Sequence, residues 1–161
     1  LLRRAGEEVE TVSIMGRKMI EGSHKIKVEA DALFEETDFT EGKMLVLPGG
    51  MPGTRHLGAY KPLTDMLCDW DTKGKQLAAI CAAPSVFGGL GFLKDRKATS
   101  YPGCLDGIPV GEYTEEPVAV DGNVVTSRGV GTAIAFALKL IEVLISKEKA
   151  DEIAASIVYP V

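Results

Sequence analysis

Cys81 closes an apolar run, "QLAAI", and is followed by "AAP" and a short apolar segment. A nucleophile on a sharp strand-to-helix turn projects above its sheet, and the crowded backbone there admits only small side chains two positions away on either side. Those positions are Ala79 and Ala83, with Ala82 between the cysteine and the second of them. Pro84 suits a first helical turn, where its missing N–H leaves no hydrogen bond unmade. The remaining N–H groups of that turn would face the sulfur and favour thiolate over thiol. The N–H of Ala82 would be placed to hold an oxyanion. A plainer role also fits, because free cysteine is among the most buried residue types. Position and small neighbours alone leave both readings open.

Two further stretches fall where strands end. Gly49-Gly50 follows "MLVLP"; glycine there lets backbone N–H groups approach a ligand closely, or makes a plain turn. Ser127-Arg128-Gly129 follows "VVT", and Gly129-x-Gly131 resembles the opening of a dinucleotide loop. Ile134 occupies the place of the third glycine, and only helical patterns follow, so no βαβ unit is completed. A tight turn is the better account, with Arg128 aimed at the site or at an interface. The other cysteines read as structural. Cys68 lies in a helical pattern beside Leu67 and is expected in the core or half-buried. Cys104 lies in a Gly/Pro loop and is read as a bystander.

The elements that position these residues follow from periodicity. Strands are expected at Val9–Met15, Lys25–Ala30, Met44–Leu47, Gln76–Ile80 and, briefly, Lys97–Ser100. Residues 31–41 are acidic and read as loop with one helical turn. Helices are expected over residues 60–73, where Leu63, Met66, Leu67 and Trp70 recur at helical spacing, and over 84–90, 132–145 and 147–157. Asp121-Gly122 between "VAV" and "VVTS" signals a hairpin over 117–127. Apolar strands alternating with helices predict an α/β, doubly wound, mostly parallel sheet sandwiched by helices, with a small antiparallel hairpin. Residues 1–161 are read as one domain. "LLRRAG" reads as the end of an amphipathic helix stopped by Gly6, so a strand, a loop and most of a helix are expected to precede it.

Composition excludes several functions. The chain of 161 residues is 45% hydrophobic and carries a net charge of −5, with a pI near 5.1. No basic cluster runs longer than Lys73–Lys75 or Lys94–Lys97, so neither nucleic acid nor an anionic membrane is expected as a partner. No run approaches the roughly 20 apolar residues of a membrane span. Three cysteines, none spaced CxxC, fit neither a disulfide framework nor a structural zinc site. A reducing cytoplasm is the expected location. His24 and His56 are far apart, which gives a metal centre little support.

Taken together, "VLPGG" (46–50), "AAICAAP" (78–84) and "VVTSRGVGTAIAFAL" (124–138) resemble the ThiJ/PfpI superfamily in its DJ-one-like branch. "LLRRAGEEVETVSI" fits as well, so the similarity runs over nearly the whole chain. The resemblance implies a flavodoxin-like sandwich related to class I glutamine amidotransferase domains, usually a homodimer. It implies that Cys81 is the reactive, oxidisable cysteine and that the backbone N–H groups of Gly50 and Ala82 form an oxyanion pocket lined by Gly49. Arg4 matches a basic residue near that pocket, often across the dimer interface. The family's glutamate partner to the sulfur belongs to a first helix, which would precede Leu1. Tyr101 stands where many members carry histidine, so a Cys–His protease pair has no base here.

The expectation is a small cysteine enzyme, of glyoxalase or deglycase type, acting on α-oxoaldehydes or on their adducts, with no metal or organic cofactor implied. Its partners would be a small aldehyde or glycated substrate and a second copy of itself. The alternative is a non-catalytic redox sensor or chaperone that uses the same cysteine.

Overall fold

The computed structural model describes residues 1–160. Four short strands come first: β1 (Val12–Ser13), β2 (Met19–Glu21), β3 (Lys27–Glu29) and β4 (Ala32–Leu33). Then follow β5 (Met44–Leu47), α1 (Gly53–Ala59), α2 (Lys61–Thr72), β6 (Gln76–Ile80), α3 (Pro84–Gly89), β7 (Lys97–Ala98) and β8 (Glu112–Tyr113). The chain ends in the hairpin β9 (Val118–Asp121) and β10 (Val124–Ser127), then α4 (Ala133–Leu144) and α5 (Lys147–Ser156).

The central sheet has the order β5-β6-β10-β9. β5, β6 and β10 run parallel, and β9 pairs antiparallel at the edge. β6 is apolar on both sides because both of its faces are covered. Leu77 and Ala79 face a core formed with Leu63, Leu67 and Trp70 of α2 and Phe87 of α3. The alternate residue Ala78 faces Phe136 and Leu140 of α4. α5 packs outside α4 through Ile141, Ala150 and Ile153, and Leu1 and Leu2 lie against this layer. This is the mostly parallel sheet between helices that the alternating pattern predicts. Among the described residues, no helix is long and apolar enough to cross a membrane.

The long periodic segments match expectation, and the first forty residues depart from it. The strand expected over 9–15 shrinks to β1, which pairs parallel with β4 and lies outside the central ladder. The strand expected over 25–30 becomes β3, an exposed hairpin partner of β2. Residues 31–41 hold β4 and one 3-10 turn, Phe34–Glu36. Arg3–Ala5 is likewise a 3-10 turn, ended by Gly6 at φ +96 as the helix-stop reading requires. Neither α1 nor β8 was expected, since neither carries a sustained period. Between β1 and the outer edge of β5 runs a groove of about 760 Å³, lined by Val12, Met44, Val46 and Trp70 among others, and the thiol of Cys81 is not part of it.

One cysteine departs from its expected place. Cys68 is exposed. The buried stripe of α2 is Leu63, Leu67 and Trp70, and the residue after Leu67 lies about 100° further round the helix, off that stripe.

Candidate functional site

Cys81 sits immediately after β6 with φ +65. A non-glycine residue in this left-handed region is strained by about 1–2 kcal/mol. It persists because its neighbours hold it from both sides. The Cys81 N–H donates to the carbonyl of Ser127 at the end of β10 (2.9 Å), and the Cys81 carbonyl accepts the N–H of Tyr101 (2.8 Å). The Ala83 N–H donates to the carbonyl of Ile80 (3.1 Å), closing the turn into α3. Ala79 and Ala83 are wholly buried and Ala82 nearly so, which explains the small residues around the cysteine. The thiol itself is half-buried.

Gly49 makes the closest approach. A Cβ built on it would lie 2.5 Å from Cys81 Cβ, 2.6 Å from the Ile80 carbonyl oxygen and 3.0 Å from the Ala82 nitrogen. No side chain fits there, so the loop after β5 lies directly against the cysteine turn. Gly50 follows at φ +91, its carbonyl accepting both the N–H and the hydroxyl of Thr54 at 2.9 Å. The N–H groups of Gly50 and Ala82 have no acceptor among the described residues. They are therefore free to donate to an incoming oxygen.

The third wall is the turn after β10. A Cβ on Gly129 would lie 4.0 Å from Cys81 Sγ and 3.6 Å from the ring of Tyr101, so the sulfur, this glycine and the tyrosine meet at one spot. Thr132 shapes the turn: its hydroxyl accepts the Gly129 N–H (3.0 Å) and lies 2.7 Å from the Ser127 hydroxyl. Arg128 is drawn outward, donating to the Glu115 carbonyl at 3.2 Å with the Glu115 carboxylate 3.7 Å away.

Cys81, Gly49, Gly50, Ala82, Tyr101 and Gly129 thus converge at the carboxyl ends of β5, β6 and β10, where open α/β sheets place their sites. Arg4 does not join them. It lies exposed in the Arg3–Ala5 turn and makes no hydrogen bond or ion pair among the described residues. Cys104, read as a bystander, does enter this region. Its N–H donates to the Tyr101 carbonyl at 3.0 Å. Its thiol is pushed upward in pKa by burial, then by the neighbouring charge positions of Cys81 and Asp106. The signal for it was present in the sequence: Tyr-Pro-Gly-Cys is a Pro-Gly turn that folds the fourth residue back on the first. No carboxylate among the described residues hydrogen-bonds the Cys81 sulfur, and none of their His, Cys, Asp and Glu groups forms a cluster of three able to hold a metal.

Residues 1–143 match the model of the DJ-1/PfpI family. The chain is 39% identical over 160 residues to Protein DJ-1 homolog B of Arabidopsis thaliana, covering 98% of this chain and 36% of the relative. It thus spans little more than a third of that protein's length. It is 34% identical over 145 residues to the protein named Deglycase PYRAB04690 of Pyrococcus abyssi, covering 89% of this chain and 86% of the relative. Among solved structures, oxidized Toxoplasma gondii DJ-1 superimposes with a TM-score of 0.94 at 40% identity, covering 99% of this chain and 88% of that one. On its fold, its match across nearly nine-tenths of its length and its identity to these relatives, the chain belongs to the DJ-1/PfpI family.

Proposed function

We propose that Cys81 is a nucleophile toward α-oxoaldehydes such as methylglyoxal, or toward their adducts with protein or nucleotide. The Cys81 thiolate adds to the aldehyde carbon and gives a hemithioacetal. The carbonyl oxygen becomes the oxyanion, received by the free N–H groups of Gly50 and Ala82. The observation that carries this reading is the strained, doubly anchored backbone of Cys81 at φ +65. A thiol that only fills space needs no such conformation, and strain of this kind accumulates at functional sites. The name deglycase, borne by the archaeal relative, supports the same substrate class. Proton transfer needs an acid–base group near the sulfur. The family resemblance assigns this to a glutamate of a helix before Leu1.

A second copy of the chain belongs to the proposal. Val130 is 93% exposed beside the Gly129 turn, and Ile134 is exposed one turn on; an apolar pair at this place suits a homodimer contact that also brings Arg4 toward the pocket. A cytoplasmic location agrees with three unpaired thiols. The test is turnover of methylglyoxal by full-length protein carrying Cys81→Ala or Cys81→Ser. Both variants are expected to lose at least about a hundredfold in kcat/KM. Undiminished turnover in either variant refutes the proposal.

One observation favours a second reading, a redox sensor. The Toxoplasma protein whose structure superimposes here is described as oxidized. On that reading Cys81 is oxidised rather than added to an aldehyde, and the same free N–H groups hold the acquired oxygens.

A further inference from the structure

The reactive cysteine has a second thiol for company, on a turn that is tied to it through the backbone. The Cys81 carbonyl accepts the Tyr101 N–H at 2.8 Å, and the Tyr101 carbonyl accepts the Cys104 N–H at 3.0 Å. The second bond closes the turn Tyr101-Pro102-Gly103-Cys104, with Pro102 followed by Gly103 at φ +81, the signature of a type II turn. In such a turn the first and fourth Cα atoms lie within about 7 Å. The Tyr101 ring and the Cys81 sulfur flank the same open face of Gly129, at 3.6 and 4.0 Å from where its Cβ would stand. Both thiols are half-buried, whereas Cys68 lies exposed on α2, outside this constellation.

We propose that Cys104 is a resolving cysteine, which traps the oxidised Cys81 as an intramolecular disulfide before the sulfur is oxidised further. The inference rests on the reactivity of Cys81 proposed above. The oxidant is a hydroperoxide. In the first step the Cys81 thiolate attacks the terminal peroxide oxygen, the S–O bond forms and the O–O bond breaks; Cys81 becomes a sulfenic acid, and the alkoxide or hydroxide that leaves takes a proton from solvent to give alcohol or water. In the second step the Cys104 sulfur attacks the sulfenic sulfur. The S–S bond forms, the S–O bond breaks, and hydroxide departs with the Cys104 proton as water. Two electrons pass from the pair of sulfurs to the peroxide.

The environments set the order of events. Burial keeps Cys104 protonated, and negative charge at Cys81 and Asp106 adds to this; a thiol is a poor target for peroxide beside a thiolate. Conversion of Cys81 to neutral sulfenic acid removes one of those charges, so Cys104 becomes a better nucleophile once its partner is oxidised. Bridging requires the two Cβ atoms to come within about 4.5 Å. The segment that carries Cys104 is suited to the adjustment, since Gly103 and Gly107 bracket it, both in left-handed conformations.

The experiment uses full-length protein on a Cys68→Ser background, exposed to stoichiometric hydrogen peroxide and mapped under non-reducing conditions by mass spectrometry. The expected product is a peptide linked through Cys81 and Cys104. In Cys104→Ser, with Cys104→Ala as a second variant, Cys81 sulfinate is expected to accumulate about tenfold faster, with methylglyoxal turnover unchanged. Equal sulfinate formation in wild type and both variants, with no linked peptide, overturns the resolving role while leaving the nucleophile intact. A Cys81 inert toward both peroxide and methylglyoxal overturns the nucleophile reading, and the resolving role with it.

Discussion

Gly49→Ala is the most discriminating substitution in this fold. The added methyl would stand 2.5 Å from Cys81 Cβ, 2.6 Å from the Ile80 oxygen and 3.0 Å from the Ala82 nitrogen. The last two atoms are backbone and belong to the turn that presents the thiol. They cannot swing aside like the end of a flexible side chain, so the loop after β5 and the turn after β6 must separate. Overpacking of a rigid site costs about 1–3 kcal/mol, and contact with backbone places this case near the upper end. For a chain of this size each kcal/mol lowers Tm by roughly 2–4 °C, so a fall of about 6–12 °C is expected. The larger effect falls on chemistry, because a shift of about 1 Å between nucleophile and oxyanion donors costs on the order of a hundredfold in rate. Gly53→Ala is the control. Gly53 opens α1 with nothing within 4 Å of its would-be Cβ and no left-handed backbone, so alanine is neutral there or stabilises by up to about 1 kcal/mol. Thermal unfolding by circular dichroism and the alkylation rate of Cys81 measure the two effects. A Gly49→Ala protein that melts within about 1 °C of wild type and alkylates at the same rate refutes the close-contact account of the site.

Two other predictions concern polar groups away from the elbow or beside it. Arg96 donates to the Asp71 carboxylate at 2.8 Å, to the Asn123 side chain at 3.0 Å and to the Phe92 carbonyl at 3.1 Å, which ties the end of α2 to the β9–β10 turn; both charged side chains are about three-quarters buried. Arg96→Ala is expected to cost about 2 kcal/mol in urea unfolding, and an unchanged midpoint would count against that tie. Cys104 has a folded-state pKa raised chiefly by burial, so the stability it contributes is present below the ordinary thiol value of about 8.5 and is lost as pH rises through its own higher value. Urea midpoints should therefore fall between neutral pH and about pH 9.5 more steeply in wild type than in Cys104→Ala, and parallel profiles would show that Cys104 does not titrate in this way.

Sequence and structure agree where burial is two-sided or periodic. "LAAI" announces β6 because the interior of a parallel strand covered on both faces is apolar throughout. "MLVL" announces β5 by the same pattern, although β5 buries only Leu47 fully and exposes Val46; and Leu63, Leu67 and Trp70 announce α2. Asp121-Gly122 announces the β9–β10 turn, whose Gly122 lies at φ +57. The sharp turn at Cys81 was legible too, since alanines on both sides of it fit a crowded strand-to-helix joint. What escaped was set by tertiary contact. Lys25–Ala30 has a strand pattern but exposes Lys27, Val28 and Glu29 alike in a separate hairpin, and local pattern does not say which sheet a strand will join. Cys68 was misplaced by treating a cysteine as apolar rather than by its angle on the helix. Gly49 was read as lining the pocket, but the contact of its would-be Cβ with the cysteine turn needed a through-space view. Cys104 was read as a bystander although its Pro-Gly turn, which carries it back toward Tyr101, was visible in the sequence.

The left-handed backbone at Cys81 has a consequence for how this chain could drift. Glycine is the residue that position favours, by about 1 kcal/mol over any side chain bearing a Cβ. Mutation alone would therefore find an easier occupant and be rewarded with a firmer fold. On the function proposed above, a cysteine at this seat exchanges some robustness of the fold for a presented sulfur.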